Sequence, residues 1–240
     1  MRYFLKVNMN KREQQRIIKE EKQRAARQRE KISATVRKTV FFVVIPLLVV
    51  FTAYVLLNQG AIYSTTEIAE NDHVREPGAK PVSIVVYADF QCPACATENQ
   101  TILQAWPSIR DSAQLVFRHF PVTNTHRHAW TASLYAEAAG KQNRFWEMHD
   151  YLFATQPDWS NLSEVENEFD AYALELNLDI EQLHLDIASE EVVMKVRNDL
   201  RGGTASGVRG TPAVFVNGRP ANNPSRARII DAVNDEVNSG

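Results

Sequence analysis

The 240-residue chain has two cysteines, and they sit together in the stretch Asp89-Phe90-Gln91-Cys92-Pro93-Ala94-Cys95. The run before them, Val82-Ser83-Ile84-Val85-Val86-Tyr87, is apolar and rich in β-branched residues, the pattern of a buried strand. A helical pattern follows from about Ala96 to Arg110. A Cys-x-x-Cys pair where a strand gives way to a helix is a redox arrangement. The first helical turn offers unpaired backbone N–H groups and the positive end of the helix dipole. Both stabilise a thiolate, and thiols in such places have pKa values of roughly 3.5–7.5 against about 8.5 for a free cysteine. Pro93 suits the first turn because it has no N–H to lose. As a structural staple so short a loop would constrain the unfolded chain little, so redox chemistry is the stronger reading. Metal binding needs two further ligands. His119, His126 and His128 are available, but there is no second cysteine pair and no metal is expected.

Other elements must position this pair. Gln114–Phe120 reads as a second strand and Ala213–Val216 as a third, closed by the turn Asn217-Gly218. The strand after it must be short and at an edge, because it holds Pro220. Pro107 should kink or divide the helix after the cysteines. A last helix is expected with Asn223 as cap, Pro224 at its first position, and Ile230, Val233 and Val237 on one face. Between the second and third strands the spacing predicts helices. The stripes are Trp130, Leu134 and Ala138; Phe145, Met148 and Leu152; Val165, Phe169, Tyr172 and Leu176; Ile180, Leu183 and Ile187 behind Asp179; and Val192, Val196 and Leu200 behind Ser189. Gly202-Gly203 should weaken or end the last of these. His126 and His128 are expected at the start of the first inserted helix, solvent-facing or capping. His149 is expected in helix packing, and His119 at a strand end without a direct role.

The net charge of −2 conceals two unlike segments. Residues 1–38 hold 13 basic and 4 acidic side chains, a net +9, and the remainder holds 14 and 25, a net −11. Between them Val40–Leu57 runs for 18 residues without a charge. As a helix it spans roughly 27 Å, close to the hydrocarbon core of a bilayer. Pro46 is tolerable inside a membrane helix. The basic flank lies on the N-terminal side, which places that side in the cytoplasm. An uncleaved anchor is favoured over a signal peptide, since no clear cleavage site follows. The expected organisation is a basic segment at 1–38, a transmembrane helix at 39–58, and a polar linker at 59–80 with a solvated His73. A globular domain at 81–240 follows, its helical insertion at about 126–206. No aromatic interleaving accompanies the basic residues, so nucleic-acid binding is not expected; lipid contact through residues 40–57 is.

Four stretches together resemble the DsbA-like thiol-disulfide oxidoreductases, specifically the membrane-anchored ones. They are Asp89–Cys95, Ala136–Gly140 with Phe145–Asp150, Gly207–Pro212, and Ala213–Gly218. The resemblance implies an α/β thioredoxin-like fold, a mixed central sheet with helices on both faces, carrying an all-helical insertion. It implies Cys92 as nucleophile and Cys95 as resolving thiol. Pro93, Ala94, Thr211 and Pro212 would wall the site, with a cis bond before Pro212. No cofactor beyond the redox-active disulfide is implied. Two departures stand out. The family often has an acid six residues before the first cysteine, where this chain has Val86, and Asp89 is expected on a loop. The Pro93-Ala94 dipeptide lacks the histidine of the strongly oxidising members, which points to a weaker oxidant.

The expected function is therefore disulfide formation in exported proteins, on the outer side of a bacterial inner membrane spanned once. The partners would be protein thiols and a membrane redox partner, either a quinone-linked oxidase or a thiol reductant. Two alternatives stand beside it. One is a reductase or isomerase kept reduced by a membrane donor, and the other is a client-binding module with little turnover.

Overall fold

The structure, a computed structural model, describes residues 11–57, 64–221 and 225–239. The chain divides into two compact units, Met1–Gln59 and Gly60–Gly240. In the first, α1 (Lys11–Thr39) passes through a π-helical turn at Val40–Val44 into α2 (Ile45–Leu57). Pro46 has no N–H for the carbonyl four residues back, and beside it the ladder shifts: the Ile45 amide donates to the Val40 carbonyl, five residues back. Phe41, Phe42, Leu47, Val50 and Phe51 are all exposed. The segment is long and apolar enough to cross a membrane, and none of it is buried in the protein.

The second unit is built on a five-stranded sheet in the order β1-β3-β2-β4-β5. Its strands are β1 (His73–Arg75), β2 (Val82–Ala88), β3 (Ala113–His119), β4 (Ala213–Val216) and β5 (Arg219–Pro220). β2 and β3 are parallel, joined by α3 (Pro93–Ile109); the other pairs are antiparallel. β2 is buried along its whole length. Its pleat sends Val82, Ile84, Val86 and Ala88 into one core cluster and Val85 and Tyr87 into another on the opposite face. The insertion between β3 and β4 holds α4 (Ala129–Lys141), α5 (Phe145–Ala154), α6 (Gln156–Trp159), α7 (Glu166–Glu175), α8 (Ile180–Ile187) and α9 (Glu190–Ala205). The chain closes with α10 (Arg226–Ser239), packed on α3. This is the mixed sheet with helical insertion expected from the sequence.

Several expectations need correction. The segment before Pro81 is not a free linker. β1 pairs with β3, and the buried Arg118 guanidinium donates to Asp72 and to the carbonyls of Ser64 and Glu67. His73 is not solvated: its ring stacks on Phe145 with centroids 3.5 Å apart and bonds Glu137 at 2.9 Å. Pro107 does not divide α3, because it falls in the last turn. The core face of α4 is Ala132, Tyr135, Ala136 and Ala139, while Trp130 and Leu134 are half-buried. α10 buries Ile229 and Val233, not Val237; Asn223 and Pro224 lie outside the described residues.

Gly202-Gly203 does not end α9 either. A Cβ on Gly203 would stand 2.8 Å from both Phe120 Cδ2 and Tyr87 Cδ1. The glycine lets the helix backbone lie directly on the aromatic face of the sheet. The helix stops instead before Gly207, whose φ of +87° is the left-handed conformation that glycine adopts at low cost. Gly203→Ala should therefore destabilise the unit by about 1–3 kcal/mol through overpacking. Urea unfolding checks this, and an unchanged midpoint would refute the close-approach account.

Candidate active site

The site begins where β2 ends. Asp89 is fully buried, and its carboxylate takes three donors: the Gln91 amide at 2.8 Å, the Val122 amide at 2.8 Å and His126 Nδ1 at 2.7 Å. A buried carboxylate is tolerated only when hydrogen-bonded in this way. The expected loop residue is thus the buried anchor of the turn, and His126, expected at the solvent or as a cap, is its partner. His128, also expected there, is buried; its Nε2 bonds the Leu162 carbonyl at 2.8 Å. Gln91 and Gln156 complete the clamp. Gln91 Oε1 accepts from the His128 amide at 2.7 Å, and Gln91 Nε2 donates to the Ser160 carbonyl at 2.8 Å. Gln156 Nε2 donates to the carbonyls of Phe90 and Cys92 at 2.6 and 3.0 Å. Sequence reasoning missed Gln156, whose partners lie more than sixty residues away and leave no local pattern.

Cys92 is the N-cap of α3 and Pro93 opens the helix, as the sequence predicts. Both cysteines are free thiols, with Cys92 at 8% exposure and Cys95 at 1%. The Cys95 thiol and amide and the Ala94 amide, all at the helix start, hold the Cys92 thiol down at about 5, against the opposing effect of burial. Cys95 moves the other way: burial, and then the neighbouring Cys92, push it well above the ordinary thiol range. The Asp89 amide donates to its sulfur at 3.5 Å. Cys92 is therefore the thiolate at neutral pH and Cys95 the protonated thiol behind it. The lowered Cys92 value contributes stability to the folded dithiol form that is complete above the pKa of an unfolded thiol and is lost as pH falls through about 5.

Opposite the sulfurs lies the Thr211–Pro212 peptide, which is cis. The Thr211 carbonyl is 3.6 Å from Cys92 Sγ and accepts from it when the thiol is protonated. Ala94, Pro212 and the start of β4 line a groove of about 670 Å³ that leads away from the pair. Glu98 lines it too. It is 7% exposed, its Oε1 has no hydrogen-bond partner among the described residues, and burial pushes its carboxyl up to about 7. Val86, at the position of the acid in the related pattern, is buried and lines a small chamber beside Cys95.

His119 stands apart from the sulfurs' shell. It is buried and bonds Glu137 at 2.7 Å. His119, Glu137 and Asp199 bring ligand-type atoms within 4.8 Å of one another. The positive charge there already comes from Lys195, whose Nζ is 2.6 Å from Asp199 Oδ2 and 4.0 Å from Glu137 Oε1. The cluster reads as a buried ion network. Neither His126 nor His128 belongs to it.

Titration of the thiolate by its ultraviolet absorbance should show one cysteine ionising near pH 5. Cys95→Ala removes the main stabilising donor and should move that transition upward. An unchanged midpoint would show that the helix end alone sets it.

Comparison with known proteins fits this geometry. A solved thioredoxin-like oxidoreductase from Silicibacter pomeroyi superposes with a TM-score of 0.61 at 23% identity, covering 72% of this chain and 95% of that one. The α-DsbA1 of Wolbachia pipientis superposes at 0.60 with 18% identity, covering 72% and 96%. A curated relative named Na(+)/H(+) antiporter NhaA 1, from Salinispora arenicola, is 38% identical over 156 residues, which are 62% of this chain and 22% of that protein. The matched stretch is thus a minor part of the relative's length. A family model described as thioredoxin matches residues 70–235. With that match running from just before β1, across the Cys92–Cys95 turn and into α10, the chain belongs to the thioredoxin family.

Proposed function

We propose that the chain is a thiol–disulfide oxidoreductase of the DsbA type that oxidises thiols of exported proteins outside the cytoplasm. The observation that carries this reading is the pairing of Cys92, 8% exposed at a helix start, with the more deeply buried Cys95, opposite the Thr211 carbonyl. The likeness to a solved oxidoreductase and to α-DsbA1 supports it.

In the oxidising direction a client thiolate attacks Cys92 of the Cys92–Cys95 disulfide. That bond breaks, Cys95 leaves and takes up a proton, and client and Cys92 form a mixed disulfide. A second client thiolate attacks the client sulfur of that bond, and Cys92 leaves as a thiolate. Two client thiols have become a disulfide, and the pair holds the two electrons. A stable Cys92 thiolate favours the reduced protein and so draws the disulfide toward accepting electrons, which works against the weaker oxidation expected from the missing histidine. The chain holds no third cysteine to recharge the pair, so the cycle draws on an external acceptor, a membrane quinone-linked oxidase. An extended client segment would pair with the cis-proline loop by strand addition. Residues 40–57 would span the membrane once, with the basic segment in the cytoplasm. The catalytic unit would then stand in the compartment where disulfides persist. No sodium or proton transport is proposed, since the matched stretch is 22% of the antiporter-named relative.

The test is trapping in cells with Cys95→Ser, which should accumulate mixed disulfides with exported proteins through Cys92. Their absence would sink the reading, and capture of a reductant alone would reverse its direction. Ala94→His should make the disulfide more oxidising, measured as a rise in reduction potential against a glutathione buffer. An unchanged potential would mean that the backbone donors already saturate the thiolate.

A further inference from the structure

Making or breaking the Cys92–Cys95 bond obliges Cys95 to lose or gain a proton, and Cys95 is 1% exposed. Beside its side chain lies a chamber of about 10 Å³, about the size needed for one water molecule. Most of its wall is apolar, from β2, β3 and Phe153. The polar side chains on it besides Cys95 are Asn99 and His149, and His149 is the titratable one. Glu98, the buried carboxyl of α3, lines the groove rather than this chamber.

His149 is built as a base would be. It is 2% exposed and enclosed by the rings of Phe90, Phe117, Phe145, Trp146 and Phe153, with centroids 4.7–6.0 Å away. Its Nδ1 is 2.8 Å from Asp150 Oδ1, and Arg75 Nη2 holds both oxygens of that carboxylate at 2.7 and 2.8 Å. A carboxylate only accepts, so the shared proton sits on Nδ1 and the lone pair is on Nε2. Nε2 has no hydrogen-bond partner among the described residues. The charged and titratable groups facing the ring are Asp150 on its own helix, Arg75 on β1 and His119 on β3. The ring is neutral at neutral pH, because burial lowers its pKa to about 4, so an imidazolium there is costly and only transient, with Asp150 as its counter-charge.

We propose that His149, oriented by Asp150, is the group that takes the proton from Cys95 and returns it, across the chamber through one water molecule. The proposal rests on the thiol–disulfide exchange reading above. When the pair closes, the Cys95 S–H proton passes to Nε2 and the thiolate attacks Cys92. The bond between Cys92 and the client sulfur breaks, and the client leaves as a thiolate. When a client thiolate opens the pair, Cys95 is the leaving group and the same proton returns to it. The transient imidazolium is countered by Asp150, whose side chain is 43% exposed and so connects the site to solvent. The arrangement of a thiol, a base and an acid that orients the base generalises to this resolving cysteine the logic of activated nucleophiles.

The full chain in detergent micelles, reduced and mixed with an aromatic disulfide reagent, gives two phases in stopped flow. Attack by Cys92 releases the first coloured thiolate; closure by Cys95 releases the second. H149Q should slow the second phase on the order of 10²-fold, the usual scale of general base catalysis. The first phase and the Cys92 titration should not move. D150N, a conservative change at a half-exposed position, should slow the same phase by less and serves if H149Q does not fold. A second phase at wild-type rate in either folded variant overturns the proposal, as does an equal slowing of both phases, which marks a merely structural role. If wild-type protein shows no first phase, the oxidoreductase reading fails and takes this proposal with it.

Discussion

The turn between β2 and α3 depends on one buried carboxylate. Asp89 lies in a place where an unpaired charge would cost several kcal/mol, and it is satisfied by three donors from three places in the chain. Gln91 is in the turn itself, Val122 follows β3, and His126 lies at the start of the insertion. Meeting that demand fixes the turn to β3 and to the helical block at once. Gln156 extends the same bond pattern to the carbonyls of Phe90 and Cys92, and Gln91 ties the turn to His128 and Ser160. The insertion is therefore more than a cover for the sheet, because it holds the backbone of Cys92 in place.

This dependence separates what the sequence discloses from what it hides. β2, the helix start at Cys92 and the Asn217-Gly218 turn are set by local chemistry: a continuous apolar, β-branched run, a proline without a donor, a left-handed turn residue. All three are legible. β1 is three residues long and has no periodicity; only its pairing with β3 makes it a strand. The Asp89–His126 bond spans 37 positions and the Gln156–Cys92 bond 64, so neither leaves a spacing signal. In α4 the bulky members of the expected stripe, Trp130 and Leu134, are only half-buried, while Ala138 of the same stripe is fully buried. Its buried positions are mostly alanines, which let α5, α8 and α9 pack against it. Gly203 follows the same logic: a residue that weakens an isolated helix is required where the helix backbone rests on Tyr87 and Phe120.

The second buried polar centre does a different task. Arg118, Asp72, Lys195, Asp199, Glu137, His119 and His73 tie the segment before β2 to the sheet and to α4 and α9. Such pairs add little net stability when intact, yet removing one partner typically costs about 3–5 kcal/mol. Their value is in register: β1 has few side chains to define its place, and Asp72 and His73 define it through their bonds to Arg118 and Glu137. The segment from residue 64 onward belongs to the folded unit for that reason, despite its polar composition.

The two sulfurs, three residues apart, inhabit opposite electrostatic surroundings. Cys92 has the donors of a helix start around it, while Cys95 stands against an apolar wall that includes Val86. The order of events in exchange follows from that difference. In the dithiol form only Cys92 is ionised at neutral pH and able to attack a partner disulfide. Closure of the pair then waits on deprotonation of Cys95, which its burial resists. Asp89 bears on both halves of the problem. Its carboxylate fixes the turn that brings Cys92 to the helix start, and its backbone N–H is the donor at the Cys95 sulfur. A substitution that removes the carboxylate would loosen the turn that carries the Cys92 helix start and the Asp89 N–H together, so it would act on both sulfurs at once.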